Sequence, residues 1–165
     1  MFEIFTTAIR ILWLLLPAMA ANMAPVFAAT YNLFPALNRP LDGGVKWQTR
    51  RLLGKNKTIR GLLAGAFAGL LVGGIQGAAL RGLLMGIGAL TGDAAKSFAK
   101  RRLNISPGTS WKPWDQIDFV IGAIAFTIKV YPYTLREVVI ALLVIGSGSY
   151  LVSKLGVALN VKQRV

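Results

Sequence analysis

LLMGIGALTGDAAKSFAKRR, residues 83–102, is an apolar run that ends in one acid and a cluster of bases. Its purely apolar part is only about a dozen residues, short for a membrane helix and also suited to a re-entrant segment. If the run failed to cross, Lys100, Arg101 and Arg102 would lie outside, against the Lys and Arg excess that marks cytoplasmic loops. A short crossing is therefore expected, with its polar end dipping into the membrane. Continued as a helix, Asp93, Lys96, Ser97, Lys100 and Arg101 fall at i, i+3, i+4, i+7 and i+8 and share one face. That stripe is either a solvated helix end with pairs such as Asp93 and Lys96, or a site, since an acid at membrane depth is costly.

The rest of the chain agrees with a membrane setting. It has 165 residues, 55% of them hydrophobic, against about 45–50% in soluble domains; its mean hydropathy is +0.57. Five membrane segments are expected: residues 11–31, 59–80, the run from 83, 117–130 and 135–159, the last with a soft point at Gly146 to Ser149. The first offers an A-x-A-like site at Leu14 to Ala20, but Glu3 and the single base Arg10 precede it and the apolar run continues beyond. An uncleaved span is expected.

Charge sets the orientation. Residues 32–60 carry Arg39, Lys46, Arg50, Arg51, Lys55, Lys57 and Arg60 against Asp42, and residues 93–118 carry five more bases. Arg81, Lys129, Arg136 and Glu137 fall between the other segments. The two long basic loops belong in the cytoplasm. The chain is thus expected to be one all-α integral membrane domain, residues 1–165, in the cell membrane. It crosses five times, with its N-terminus outside and its C-terminus, including Lys162 and Arg164, inside. The net charge of +13 suits topology and anionic headgroups, and no nucleic-acid partner is expected. Without cysteine or histidine, the chain has no thiolate nucleophile, imidazole base or His/Cys metal site.

Three further patterns carry the reading toward function. Glycines at 61, 65, 69, 73 and 77 give the second segment one smooth face, for close helix packing or for a lipid chain. In GKNKTIRG, residues 54–61, Lys55, Lys57 and Arg60 crowd a helix N-terminus, which prefers negative charge. Thr58 or Asn56 can cap it, and a bound phosphate would relieve the repulsion; bases that only set topology are the alternative. In PWDQID, residues 113–118, Asp115 and Asp118 lie at i, i+3, either as helix-start acids or as partners of Asp93 at the cytoplasmic face. Three carboxylates without His or Cys suit Mg²⁺. Acids for a metal and bases for phosphates at headgroup level point to phosphoryl or nucleotidyl transfer to a lipid.

These motifs together resemble a known family. Ser97-x-x-Lys100-Arg101 with Asp115-Gln116-Ile117-Asp118 resembles the S-x-x-K-R … D-R-x-D signature of CDP-diacylglycerol synthases. Their short archaeal relatives, the CDP-archaeol synthases, are closer in ANMAP at Ala21 to Pro25, Phe34-Pro35, the K-T-x-R-G of Lys57 to Gly61 and GD-x-x-x-SF-x-KRR of Gly92 to Arg102. The likeness extends to about Asp118. Gln116 replaces the arginine of the bacterial pattern, and Ser106-Pro107-Gly108 with Trp111 stands where that pattern has H-G-G.

The resemblance implies a Mg-dependent cytidylyltransferase. CTP and an isoprenoid-ether glycerol phosphate would give CDP-archaeol and pyrophosphate. Asp93, Asp115 and Asp118 would hold the metal and, with Lys96 and Lys100, form the catalytic set. Lys55, Lys57, Thr58, Arg60, Ser97, Arg101, Arg102 and Asn22 would bind substrate. The lipid phosphate is close to dianionic at neutral pH, its second pKa being about 6, and needs no general base. A CTP-dependent polyprenol kinase, a CDP-alcohol phosphotransferase (of which Asp42-Gly43 is the only trace) and a small transporter are the rivals. Trp111 or Trp114 could stack on cytosine or simply sit at the interface. Whether the chain pairs as a homodimer is left open.

Overall fold

The structure, a computed structural model, describes residues 2–47, 49–106 and 109–158. Five α-helices dominate them: α1 (Phe2–Thr30), α2 (Ile59–Ile75), α3 (Ala79–Arg102), α4 (Trp114–Thr127) and α5 (Leu135–Ala158). The expected end of the fifth segment at Leu159, the terminal Lys162 and Arg164, and Pro107 and Gly108 of the loop lie outside the described residues.

α1 starts well before the expected residue 11. It buries Ile11, Leu14, Leu15, Ala18 and Ala21 along one face. Pro17 and Pro25 lie inside without ending it. Each removes one N–H donor, but in apolar surroundings the remaining helical bonds have no competing water. α2 is shorter than expected. Gly77, at φ +72°, turns the chain, with Ala78 N–H donating to the Gly73 carbonyl at 2.7 Å, a left-handed closure that favours glycine. α3 resumes at once. α5 passes through residues 146–149 unbroken, and Ser147 Oγ donates back to the Leu143 carbonyl at 2.7 Å. The expected soft point is absent, and the Ser147 hydroxyl is satisfied within the helix.

Gly65, Gly69 and Gly73 of the glycine ladder are spent on packing. A Cβ at Gly69 would meet the Gly82 carbonyl at 2.5 Å, and one at Gly65 the Ala21 carbonyl at 2.7 Å. α2 therefore touches α3 and α1 almost backbone to backbone. α3 uses a second pair the same way: a Cβ at Gly88 would lie 2.5 Å from the Gly122 carbonyl of α4, and Gly92 abuts the Asp118 carbonyl. The core joins Ile11, Leu15, Met85, Val120 and Ile145.

The connection between α1 and α2 is ordered. A 3₁₀ turn (Pro35–Leu37) leads to a small antiparallel hairpin, β1 (Lys46–Trp47) and β2 (Arg50–Arg51), with Lys46 opposite Arg51 and Trp47 opposite Arg50. Asp42 holds it, accepting from Gly44 N–H and Leu53 N–H, both at 3.0 Å. At the other end of the bundle Glu137, only 3% exposed, accepts from Arg10 Nη2 (2.6 Å), Tyr131 OH (3.0 Å) and Thr134 N–H (2.9 Å). That carboxylate ties α1 to α5 across the sequence.

Candidate active site

Three helix ends meet at one end of the bundle: the start of α2, the last turns of α3 and the start of α4. The Gly92–Asp118 contact sets the register of α3 against α4, so Asp93 and Lys96 stand beside Asp115 and Asp118. Lys96 Nζ lies 3.2 Å from Asp93 Oδ1, 3.1 Å from Asp115 Oδ1 and 2.6 Å from Asp118 Oδ2. One ammonium thus faces three carboxylates. Lys57 pairs with Asp93 Oδ2. Lys100 Nζ donates to Asp115 Oδ1 at 2.7 Å and to the Thr109 carbonyl at 2.8 Å, tying the following loop to α3. Trp111 N–H donates to Asp115 Oδ2 at 2.5 Å, and Phe119 N–H to Asp118 Oδ1 at 2.8 Å.

These groups open into a cavity of about 1670 Å³. Its wall includes Asn22, Lys55, Lys57, Thr58, Asp93 and Lys96, together with Ser97, Lys100, Arg101, Asp115 and Asp118, all of them expected from the sequence. Another stretch of wall is apolar, with Met19, Met23 and Val26 of α1 and Val144 and Val152 of α5. A cavity that is charged on one wall and apolar on another suits an amphiphile.

Two expected substrate-binding residues lie elsewhere. Arg60 is buried, and its Nη1 donates to Asn32 Oδ1 at 3.0 Å and the Leu33 carbonyl at 3.3 Å, closing the end of α1. Arg102 Nη1 donates to the Trp47 carbonyl at 3.1 Å and its Nη2 to the Arg51 carbonyl at 3.4 Å, so it braces the hairpin. Neither lines the cavity. The conflict at the start of α2 is partly settled inside the chain. Thr58 Oγ1 caps the helix by accepting from Gly61 N–H at 3.1 Å, and Lys57 and Arg60 have their own acceptors.

The acids bear on the expected metal. Among the described residues no group of three His, Cys, Asp or Glu is arranged to hold an ion, and the acids converge on Lys96 instead. The donor chemistry nevertheless fits Mg²⁺, being carboxylate oxygen throughout. Asp118 Oδ2 is buried and stands 2.6 Å from the Lys96 ammonium.

The sequence missed Arg50, Arg51, Thr109 and Gln116 as cavity residues. Gln116 was visible between the two motif aspartates; nothing in the spacing told where the hairpin arginines would fold. Trp111 and Trp114 pack on each other with centroids 5.9 Å apart, and neither lines the cavity.

A family model described as CarS-like: CDP-archaeol synthase matches residues 1–164. A CDP-archaeol synthase of Thermococcus gammatolerans is 41% identical over 132 residues, covering 72% of this chain and 73% of the relative. That of Aeropyrum pernix is 44% identical over 135 residues, covering 76% and 74%. A solved structure, reported as an intramembrane enzyme for archaeal membrane lipids biosynthesis, superposes with TM-score 0.70 at 39% identity over 92% of both chains.

Proposed function

The chain belongs to the CDP-archaeol synthase family, and from that premise we propose how its cavity performs the reaction. It is a membrane enzyme that transfers a cytidylyl group from CTP to an archaeal lipid phosphate, giving CDP-archaeol. The kinase, phosphotransferase and transporter alternatives are not favoured, and Asp42, the trace of one of them, serves to tie a loop.

Convergence of Lys96 with Asp93, Asp115 and Asp118 on a cavity with one apolar wall carries the mechanism. A lipid phosphate oxygen attacks the α-phosphorus of CTP. The bond from that phosphorus to the oxygen bridging the β-phosphate breaks, and pyrophosphate departs. Lys57, Lys96 and Lys100 exchange carboxylate for phosphate oxygens as the polyanion enters, which neutralises charge without a proton transfer. Thr58, Ser97 and Asn22 supply uncharged polar contacts on the wall, and Lys55 and Arg101 add positive charge. Asp93, Asp115 and Asp118 would be the residues to hold Mg²⁺, which when bound would supply Lewis acidity toward phosphate oxygens. The isoprenoid chains lie along α1 and α5.

Two helices, α1 and residues 135–152 of α5, are each long and apolar enough to cross a bilayer, and α2 is a shorter apolar helix. With the Lys and Arg excess of the loops, they support one domain of five crossings, N-terminus outside and cavity mouth in the cytoplasm.

The test supplies purified protein in detergent with CTP labelled in the α-phosphate, Mg²⁺ and an unsaturated archaeal-type lipid phosphate. Label is expected in the lipid as CDP-lipid and is expected to vanish with EDTA. Free CDP beside an unlabelled lipid would indicate a kinase, and label that survives EDTA would remove the metal.

A further inference from the structure

At the end of the bundle away from the cavity, the short link between α2 and α3 presents a cation that the fold does not use. Arg81 has no carboxylate partner among the described residues, and its Nε is buried without an acceptor. Its Nη2 reaches only Gln76 Oε1, a long contact of 3.5 Å. Gln76 is committed elsewhere: its Nε2 donates at 2.6 Å to the Trp13 carbonyl, which Pro17, four residues on, cannot satisfy within the helix. Arg10 stands on the same side, and its charge and that of Arg81 both act on Tyr131. The nearby carboxylate, Glu137, is already taken by Arg10, Tyr131 and Thr134.

The setting of Arg81 is apolar. Leu80, its neighbour in the chain, Ile75 at the end of α2 and Trp13 of α1 are all exposed. Trp13 also lines a groove of about 290 Å³ along α1, with Ile9, Leu12, Leu16 and Met19. Leu12 and Met19 line the main cavity too, so the groove continues its apolar wall along the same helix. On α3, Arg81 is fifteen residues from Lys96, about 22 Å of helix, against about 30 Å for a bilayer's hydrocarbon region. With α3 crossing and Lys96 at the headgroups of one leaflet, Arg81 stops short of the headgroups of the other. An unpaired guanidinium at that depth is costly, and a phosphate drawn to it removes the cost with a charge-assisted pair.

We propose that Arg81, with Arg10 beside it, holds the phosphate of a phospholipid from the leaflet opposite the catalytic cavity, and that the α1 groove takes one of its chains. The leaflet assignment rests on the crossing of α3 proposed above. The occupant is an amphiphile because cation and groove meet at Trp13, whose carbonyl fixes Gln76 next to Arg81 and which lines the groove itself. Free phosphate would leave the groove empty, and an uncharged lipid would leave Arg81 unpaired. The bound lipid is not the substrate, since Arg81 is most of a bilayer away from Lys96 and the acids. No bond is made or broken at this site; it binds.

The test titrates dioleoylphosphatidylglycerol, dioleoylglycerol and inorganic phosphate separately into the full chain in detergent and follows the melting temperature, which a bound ligand raises with its concentration. The catalytic cavity is intact in every variant, so differences between variants report the opposite site. Stabilisation of the wild type is expected from the phospholipid and not from the other two. Arg81→Gln is expected to weaken the phospholipid about tenfold, as loss of one charge-assisted contact predicts, and Arg81→Lys recovers part of the loss. Trp13→Ala keeps the carbonyl that holds Gln76 but strips the groove, and a similar loss is expected; it carries the test should Arg81→Gln fail to fold. Unchanged phospholipid affinity in either variant would overturn the site. Equal stabilisation by dioleoylglycerol would leave a groove without a phosphate contact, and stabilisation by inorganic phosphate alone an anion site without a lipid; either result would overturn the proposal. Transfer of label from CTP in Arg81→Gln is expected at the wild-type rate, so failure of this site and failure of the catalytic reading are told apart.

Discussion

Gly92 leaves no room for a side chain against the backbone carbonyl of Asp118. This contact holds two of the three acids in register around Lys96. Gly92→Ala is therefore expected to push α3 and α4 apart, costing about 1–3 kcal/mol as overpacking does and most of the activity. Gly74→Ala is the control, since a Cβ there meets nothing within 4 Å, and it should be neutral or slightly stabilising. Thermal melting of both variants in detergent, together with turnover, checks the pair.

Lys96→Ala leaves three carboxylates converged without their shared ammonium. Turnover is expected to fall by about 100-fold or more, the scale of losing one preorganised charge at a phosphoryl site. If Lys96→Ala transferred label from CTP to lipid at the normal rate, Lys96 would have no part in the chemistry.

Arg60 and Lys57 are close in sequence but serve different ends. Arg60→Ala removes the donor to Asn32 and Leu33 and is expected to cost about 1–3 kcal/mol of stability while leaving the KM for CTP near normal. Lys57→Ala should raise that KM instead. Steady-state kinetics beside melting curves separate the two.

Slight burial pushes the Asp42 carboxyl up, but the N–H groups of Leu53, Gly44 and Gly54 and the Arg51 charge outweigh it and hold it below the usual range. A carboxyl lowered by folding stabilises fully above its ordinary pKa of about 3.9, and that contribution is lost as pH falls through the lower folded value. The hairpin should loosen in acid. Proteolysis of residues 41–54 across that range is expected to rise in the wild type, and Asp42→Asn should be cleaved faster near neutrality with a flatter pH response.

Local physics made part of this legible in the sequence. The helical stripe from Asp93 to Arg101 and the pair Asp115 and Asp118 lie where a 3.6-residue period puts them, because spacing along one helix needs no knowledge of its neighbours. That Arg60 and Arg102 turn from the cavity could not be read in the sequence, because their direction depends on acceptors far along the chain, Asn32 and Trp47. Likewise the glycines of α2 announced close contact but not with which helix. The hairpin carried no signal beyond its bases, and Glu137 looked like one surface charge among several until it met Arg10 from the far end of the sequence.

α2 has 17 residues and α4 has 14, about 26 Å and 21 Å of helix. A bilayer's hydrocarbon region is about 30 Å thick. Were all five helices to cross, the side of the protein built from these two would be shorter than the membrane around it, and the nearby leaflets would thin to cover it, at a cost of fractions of a kcal/mol per Å. Thinning would bring phosphate headgroups toward the level of Lys96. Under that topology, hydrophobic mismatch would carry the lipid phosphate to the acids and lysines without lifting its chains out of the membrane.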